Sequence, residues 1–252
     1  MIDFIYVIFL TSISKLRKRK SKFTPMNSKK SNNQNSAESL QETKIVEYHD
    51  YFFTSKNKKV TVKHFGEKTA LLNSFFFEYL KEYNIPSAFL KKEGSKKIQL
   101  LKVDEFQFQI KIINAADVRT AKIFLTKTGT ALPLPIIEYH YGDAKDSVIG
   151  ESHIISFDLC SYEDLKLINR LCSKLNAIIK SFFERRNISL VELTCRFGKF
   201  EGKIFLIDDF SPMSIKLSSN KAEDKLPDPY KIETAAQMNK YSEFLLKLTN
   251  GE

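Results

Sequence analysis

The sequence predicts an α+β fold, on three observations. Strand and helix periodicities both recur, they follow no regular strand–helix–strand alternation, and no internal repeat appears. The strand period is cleanest at Phe106–Ile113, where Phe106, Phe108, Ile110 and Ile112 alternate with Gln107, Gln109 and Lys111. Such alternation buries one face. The helix period is cleanest at Tyr162–Arg186, where Ile168, Leu171, Leu175, Ile178, Ile179, Phe182 and Phe183 recur at helical spacing.

The remaining elements follow in order. Lys44–Tyr48 and Lys59–Phe65 read as short strands. Leu72–Tyr83 reads as a helix stopped by Ile85-Pro86, because proline cannot continue the helical hydrogen-bond ladder. Lys97–Val103 reads as a strand, and Ile136–Tyr141 is a further apolar run. Ser189–Arg196 and Lys203–Asp208 read as two strands joined by a turn around Gly198–Gly202. Thr234–Leu248 closes the chain as a helix with Tyr241, Phe244, Leu245 and Leu248 on one face.

A chain of 252 residues suits one large domain or two small ones and can bury a real core. With 42% hydrophobic and 28% charged residues it is neither a disordered chain nor a multi-pass membrane protein. Eight glycines and seven prolines exclude a collagen-like or Pro-rich chain. The cysteines at 160, 172 and 195 form no CxxC pair, which argues against a disulfide framework or structural zinc and for a reducing, cytoplasmic setting. Of the net charge of +10, +7 lies in the first 31 residues and +3 in the rest. The body therefore lacks the strongly basic surface that nucleic acid requires.

Residues 4–10 are apolar and a basic run follows. The charge stands on the wrong side for a signal peptide, and the run is too short to span a bilayer. An anchor on an anionic membrane surface is the alternative to the favoured reading, a leader over residues 1–40 without regular structure, with Met26 a second candidate start. No membrane partner is expected.

Generic motifs are lacking: there is no GxxxxGK[ST], GxGxxG, GxSxG or HExxH. The histidines at 49, 64, 140 and 153 show no ligand spacing and read as ordinary surface or half-buried residues. Phe75–Phe77 reads as core. Asp208-Asp209-Phe210-Ser211-Pro212 directly follows the apolar run Ile204–Ile207. Paired carboxylates at a strand end can hold a magnesium ion that bridges nucleotide phosphates, and an acidic turn is the plainer alternative.

Six phrases then stand in a specific order: Phe77-Glu78-Tyr79-Leu80 with Asn84-Ile85-Pro86; Leu100-Leu101-Lys102-Val103-Asp104; Gly129-Thr130-Ala131-Leu132-Pro133-Leu134-Pro135-Ile136-Ile137-Glu138-Tyr139-His140-Tyr141; Gly150-Glu151-Ser152-His153-Ile154; Leu190-Val191-Glu192-Leu193-Thr194-Cys195-Arg196-Phe197-Gly198; and Asp208-Asp209-Phe210-Ser211-Pro212-Met213. From about residue 62 to 249 the chain resembles the SAICAR synthetase family, whose phrases FEYL, LVKKVE, GTxLPxPIVEFYY, NEDHI, LVDFKLEFG and DEISPD they match. The resemblance implies a two-lobed α+β fold. A strand-rich N-terminal lobe at 41–104 and a larger C-terminal lobe at 105–252 would hold ATP in the cleft between them. It also implies an ATP-dependent ligase of purine biosynthesis that joins aspartate to carboxyaminoimidazole ribotide, releases ADP and phosphate, and commonly assembles as a homo-oligomer.

Carried over residue by residue, the resemblance implies nucleotide contacts at Lys44, Lys102 and Asp208, with Asp208 also a magnesium ligand. Substrate contacts are implied at Asn114, Ser211 and Lys216. No catalytic residue is assigned. Lys44 comes from the match of Gln41–Tyr48 to the family's GKAKxVY strand, where Glu42 replaces the first lysine. Other positions depart too. Arg196 stands where the family has a metal-binding glutamate, Thr194 where it has lysine, Ile113 where it has a substrate arginine, Arg119 where it has serine, and Met213 where it has aspartate. Lys216 replaces an arginine, keeping the charge but not the two-point fork. A substrate-facing loop is largely deleted between His64 and Leu72.

These departures leave two main readings, a ligase and a catalytically impaired relative that keeps the fold and binds nucleotide or a partner. A basic membrane-surface or nucleic-acid protein using residues 15–30 is the third and weakest. The resemblance further predicts Glu192, Asp208 and Asp209 together at one cleft with Lys102 facing them, and Arg196 paired to Asp208 as an internal substitute for magnesium.

Overall fold

The computed structural model describes residues 42–142, 147–207, 210–219 and 226–250. The leader at 1–40 and the pair Asp208-Asp209 lie outside the described residues. Mixed helices and strands make up the rest, as the α+β reading requires.

Strand β1 (Thr43–Glu47) enters a three-stranded antiparallel sheet in the order β1-β5-β4, with β4 at Phe89–Glu93 and β5 at Lys97–Leu101. Strands β2 (Tyr51–Phe53) and β3 (Lys59–Thr61) form a hairpin of their own. The sequence predicts a strand through Phe65 and a helix from Leu72. Instead β3 ends at Thr61 and helix α1 (Phe65–Glu82) starts at Phe65. The missing side chain of Gly66 is what seats this first turn. A Cβ there would land on the Tyr48 carbonyl oxygen. The capping residue His64 makes no side-chain cap, and Asp50 supplies one from outside the helix. Its Oδ1 accepts the Gly66 N–H at 2.9 Å while Oδ2 meets Lys96 Nζ at 2.5 Å.

The hydrogen bond from Lys96 holds the Asp50 carboxyl below the usual aspartate range. A lowered acid stabilises the fold at neutral pH and loses that contribution as pH falls through its folded value. Asp50→Ala should therefore lower the unfolding midpoint in denaturant by an amount worth about 1 kcal/mol at pH 7 and by less at pH 3. An equal loss at both pH values would count against the cap.

After β6 (Asp104–Glu105) comes the central sheet, all antiparallel, in the order β13-β10-β7-β8-β9. Its strands are β7 (Phe108–Ala115), β8 (Ala131–Tyr141), β9 (Val148–Ile149), β10 (Ile188–Cys195) and β13 (Ile215–Ser219). Short helices α2 (Val118–Ile123) and α3 (Glu151–Ser156) fill the connections around β8. Helix α4 (Tyr162–Glu184) packs on β10, and its predicted face is buried: Ile168, Leu175, Ile179, Phe182 and Phe183 are each at most 1% exposed. Ile110, Ile112 and Leu193 supply the sheet side of this core. The predicted alternation of Phe106–Ile113 holds, shifted toward the C-terminus by the β6 pairing.

The two predicted late strands are three. β10 ends at Cys195, and β11 (Phe197–Phe200) then pairs with β12 (Lys203–Leu206) and β6 in another sheet. The turn sits at Glu201-Gly202, both at positive φ. Gly198 lies inside β11, where a Cβ would strike Val103. Helix α5 (Ala235–Thr249) packs on α1, burying Tyr241, Leu245 and Leu248. Its predicted Phe244 is only partly buried against the core.

Candidate functional site

Arg196 occupies the one residue between β10 and β11, where the chain leaves the central sheet. That junction forms one wall of a cavity of about 350 Å³. Lys44, Ile45 and Val46 of β1 line it, as do Leu101, Glu105 and Ile207. Lys44 Nζ donates to Glu105 Oε1 at 3.0 Å, and Arg196 Nη1 lies 4.0 Å from Oε2 of the same carboxylate. Two half-exposed cations beside an apolar wall make a place for an anionic group carried on a flat apolar one. The described lining residues alone do not make a divalent-cation site; Asp208 and Asp209, which follow directly on Ile207, lie outside the described residues. Glu105 is the sole carboxylate among these lining residues, against two positive charges, and like charges at contact repel.

The central sheet presents a polar face next to this cavity. Register puts Lys216 opposite Glu192, Thr194 opposite Lys111, Lys111 opposite Glu138, and Gln109 opposite His140. Glu192 is 2% exposed and held by two lysines, Lys216 Nζ at 3.0 Å and Lys111 Nζ at 2.7 Å. Lys216 also meets Asp228 at 3.3 Å. Burial alone would push Lys216 down, but Glu192 and Asp228 outweigh it and hold the ammonium above the usual lysine range. Tyr230 packs beneath both lysines, with its ring centroid 5.3 Å from each Nζ. Burial pushes its hydroxyl up, so it stays protonated. Farther along, Glu138 pairs with Arg119 of α2 and lies 3.5 Å from His140. The neighbouring His140 ring, with the charges of Arg119 and Lys111, holds the Glu138 carboxyl below its usual range despite its burial.

The order Asp228, Lys216, Glu192, Lys111, Glu138, Arg119 thus alternates in sign across the face. Thr194 lies on this face and Arg196 in the cavity wall, two residues apart along one strand direction. A strand rises about 3.3 Å per residue, which makes the two regions neighbours.

A family model described as SAICAR synthetase matches residues 38–233, most of the chain. The chain belongs to the SAICAR synthetase family. It is 26% identical over 214 residues to the phosphoribosylaminoimidazole-succinocarboxamide synthase of Persephonella marina, covering 83% of this chain and 90% of that one. The crystal structure of the enzyme of that name from Ehrlichia chaffeensis superposes with a TM-score of 0.74 at 25% identity, covering 82% of this chain and 90% of its own. A SAICAR synthetase solved in complex with ADP gives the same TM-score and identity over 83% of this chain and 91% of that one.

The positions singled out from the family phrases fall in different places. Lys44 lines the cavity beside Arg196. Lys102 does not face Glu192. Its Nζ bonds Glu42 at 2.6 Å on the surface, so the acid that replaced a family lysine has captured it. Asp208 and Asp209, and with them the expected pairing of Arg196 to Asp208, lie outside the described residues. Among the described residues Arg196 has Glu105 at salt-bridge distance. Lys216 stands on the polar face as described. Asn114 is buried in the opposite face of β7, where its amide exchanges two hydrogen bonds of 2.8 Å with Asn176 of α4. Ser211 is buried in a closed turn: its N–H donates to Ser214 Oγ, and its own Oγ accepts the Met213 N–H. Both residues serve the fold in this arrangement. Asn176→Ala should lower stability by about 1–3 kcal/mol, because the Asn114 amide is left buried and unpaired. A chemical melt at unchanged slope is the measurement.

Sequence reasoning missed Lys111, Glu138, His140 and Tyr230, and marked Arg119 only as a departure from the family serine. For Glu138 and His140 a signal existed: they stand two apart in a strand, so they share a face.

Proposed function

We propose that the protein is an ATP-dependent ligase of purine biosynthesis that joins aspartate to carboxyaminoimidazole ribotide with release of ADP and phosphate. The observation that carries this reading is the placement of Arg196 in a cationic cavity with an apolar wall, two residues along the chain from Thr194 on a sheet face lined with fixed charges. The family membership supports the reaction, and the ADP-bound relative supports a nucleotide in the cavity. In this reading Lys44 and Arg196 hold the nucleotide phosphates directly, and magnesium contributes less than in a cleft lined by carboxylates. Lobes divided near residue 105 would place Lys44 and Leu101 on one side of the nucleotide and Glu105 and Arg196 on the other. The polar face would take the ribotide and the aspartate, with Lys216 among its cations.

No described helix is long and apolar enough to cross a membrane, and the three cysteines are free and buried. We place the protein in the cytoplasm, as a homo-oligomer of the family kind. The test is direct: purified protein with the ribotide, aspartate and Mg-ATP should form the succinocarboxamide product and ADP in equal amounts. Nucleotide binding without product would assign the chain to the impaired relatives instead.

A further inference from the structure

His140 sits on the polar face in an arrangement that the family phrases do not contain, since the matched phrase has tyrosine at this position. Its side chain is 22% exposed and lines a second cavity of about 350 Å³ together with Gln109, Lys111, Thr194 and Tyr230. His140 Nε2 is closed off from solvent and makes no hydrogen bond of ordinary length. Glu138 Oε2 lies 3.5 Å from it. Glu138 is 9% exposed and its other oxygen is taken by Arg119, so the carboxylate cannot turn away. Lys111 lies directly opposite it in register.

A fixed carboxylate facing one imidazole nitrogen favours the proton on that nitrogen. The other nitrogen, Nδ1, is then left with its lone pair. Histidine beside a buried carboxylate that is itself held by an arginine is an arrangement for moving a proton. The same cavity offers Lys111, Gln109, Thr194 and Tyr230 as hydrogen-bond donors for the carboxylates of an amino acid.

We propose that His140, oriented by Glu138, is the catalytic base that takes the proton from the attacking amine. The proposal rests on the ligase reading above. The ribotide carboxylate takes the γ-phosphoryl group of ATP, ADP leaves, and the amine nitrogen of the amino acid forms a bond to the carbonyl carbon of the resulting acyl phosphate. The bond from that carbon to the phosphate oxygen breaks, and its electron pair leaves with phosphate. The N–H proton passes to the His140 imidazole, which releases it to water. Glu138 is a positioning residue that touches no reacting atom.

The experiment compares the full-length protein with His140→Phe, His140→Gly and Glu138→Gln, each supplied with the ribotide and Mg-ATP. Two nucleophiles are used, aspartate and hydroxylamine. Hydroxylamine is already unprotonated near neutral pH and traps an acyl phosphate as a hydroxamate without help from a base. His140→Phe should lose about 100-fold or more in amide formation while hydroxamate formation and ADP release with hydroxylamine stay at the wild-type rate. His140→Gly should recover at least about tenfold on addition of imidazole, which a packing defect would not do. Glu138→Gln should lower amide formation by a smaller factor in the same pattern. The assignment is overturned if amide and hydroxamate formation fall together, or if amide formation survives in His140→Phe. A wild-type protein that releases no ADP with either nucleophile overturns the ligase reading itself, and the base assignment goes with it.

Discussion

Glu192→Leu is expected to lower the unfolding free energy by about 3–5 kcal/mol, close to half the stability of an ordinary domain. The carboxylate is 2% exposed and the side chains of its two partners, Lys111 and Lys216, are each 22% exposed. Removing the acid leaves both ammonium groups in a poorly solvated face, with Asp228 beside Lys216 and Glu138, already paired to Arg119, opposite Lys111. That loss is larger than the Coulomb attraction it removes, because each lysine keeps its desolvation penalty. The non-additivity is the sharper test. Lys216→Met alone should also destabilise, but combined with Glu192→Leu it should cost far less than the sum, since the orphaned cation is gone. The alkaline limb gives a second readout. Lys216 is held above the usual lysine range, so its contribution is intact below that range and fades only as pH rises through the raised value. Glu192→Leu should erase that fading. Additive losses and an unchanged alkaline limb would mean that Glu192 acts by packing alone.

The same cluster marks the boundary of what the sequence discloses. Helix α4 and strand β7 are legible because burial imposes a period on neighbouring residues, and a period is local information. The strand β13 is not: five residues, one of them the charged Lys216, are too few to show alternation. The first turn of helix α1 is not legible either, because Gly66 is seated there by the close approach of the Tyr48 carbonyl, a contact from outside the helix. The site was harder to read than the fold. A family phrase locates Lys44 and Lys216, but it cannot say what holds them. Glu105 waits for Lys44 from 61 positions away, and Glu42 captures Lys102 from 60. Such pairings are decided by sheet register, which single positions do not encode. For the same reason Asn114 passes in the sequence for a substrate contact, while β7 turns it into the core to meet Asn176.

Wild-type protein is expected to keep most of its ATP affinity when magnesium is removed, and Arg196→Glu is expected to lose it. Arg196 and Lys44 converge on Glu105, so the cavity carries its own positive charges where a metal would otherwise supply them. Incoming phosphate oxygens can take the place of Glu105 against both cations, exchanging one anion for another at little cost in desolvation. A charge-assisted hydrogen bond of this kind is worth about 1.5–3 kcal/mol, so losing one weakens binding by about 10- to 100-fold. Arg196→Glu goes further, setting a second carboxylate beside Glu105. That pair repels phosphate, but it is also a set of oxygen ligands that suits magnesium. ATP binding by the variant should therefore become strongly magnesium-dependent where the wild type is nearly indifferent. The fold itself should hardly change. Arg196 is 47% exposed and Glu105 38%, and exposed pairs contribute only about 0–1 kcal/mol. Thermal melts and calorimetric titrations with ATP, in EDTA and in excess magnesium, separate the cases. If the wild type binds ATP only when magnesium is present, the metal and not Arg196 carries the phosphates.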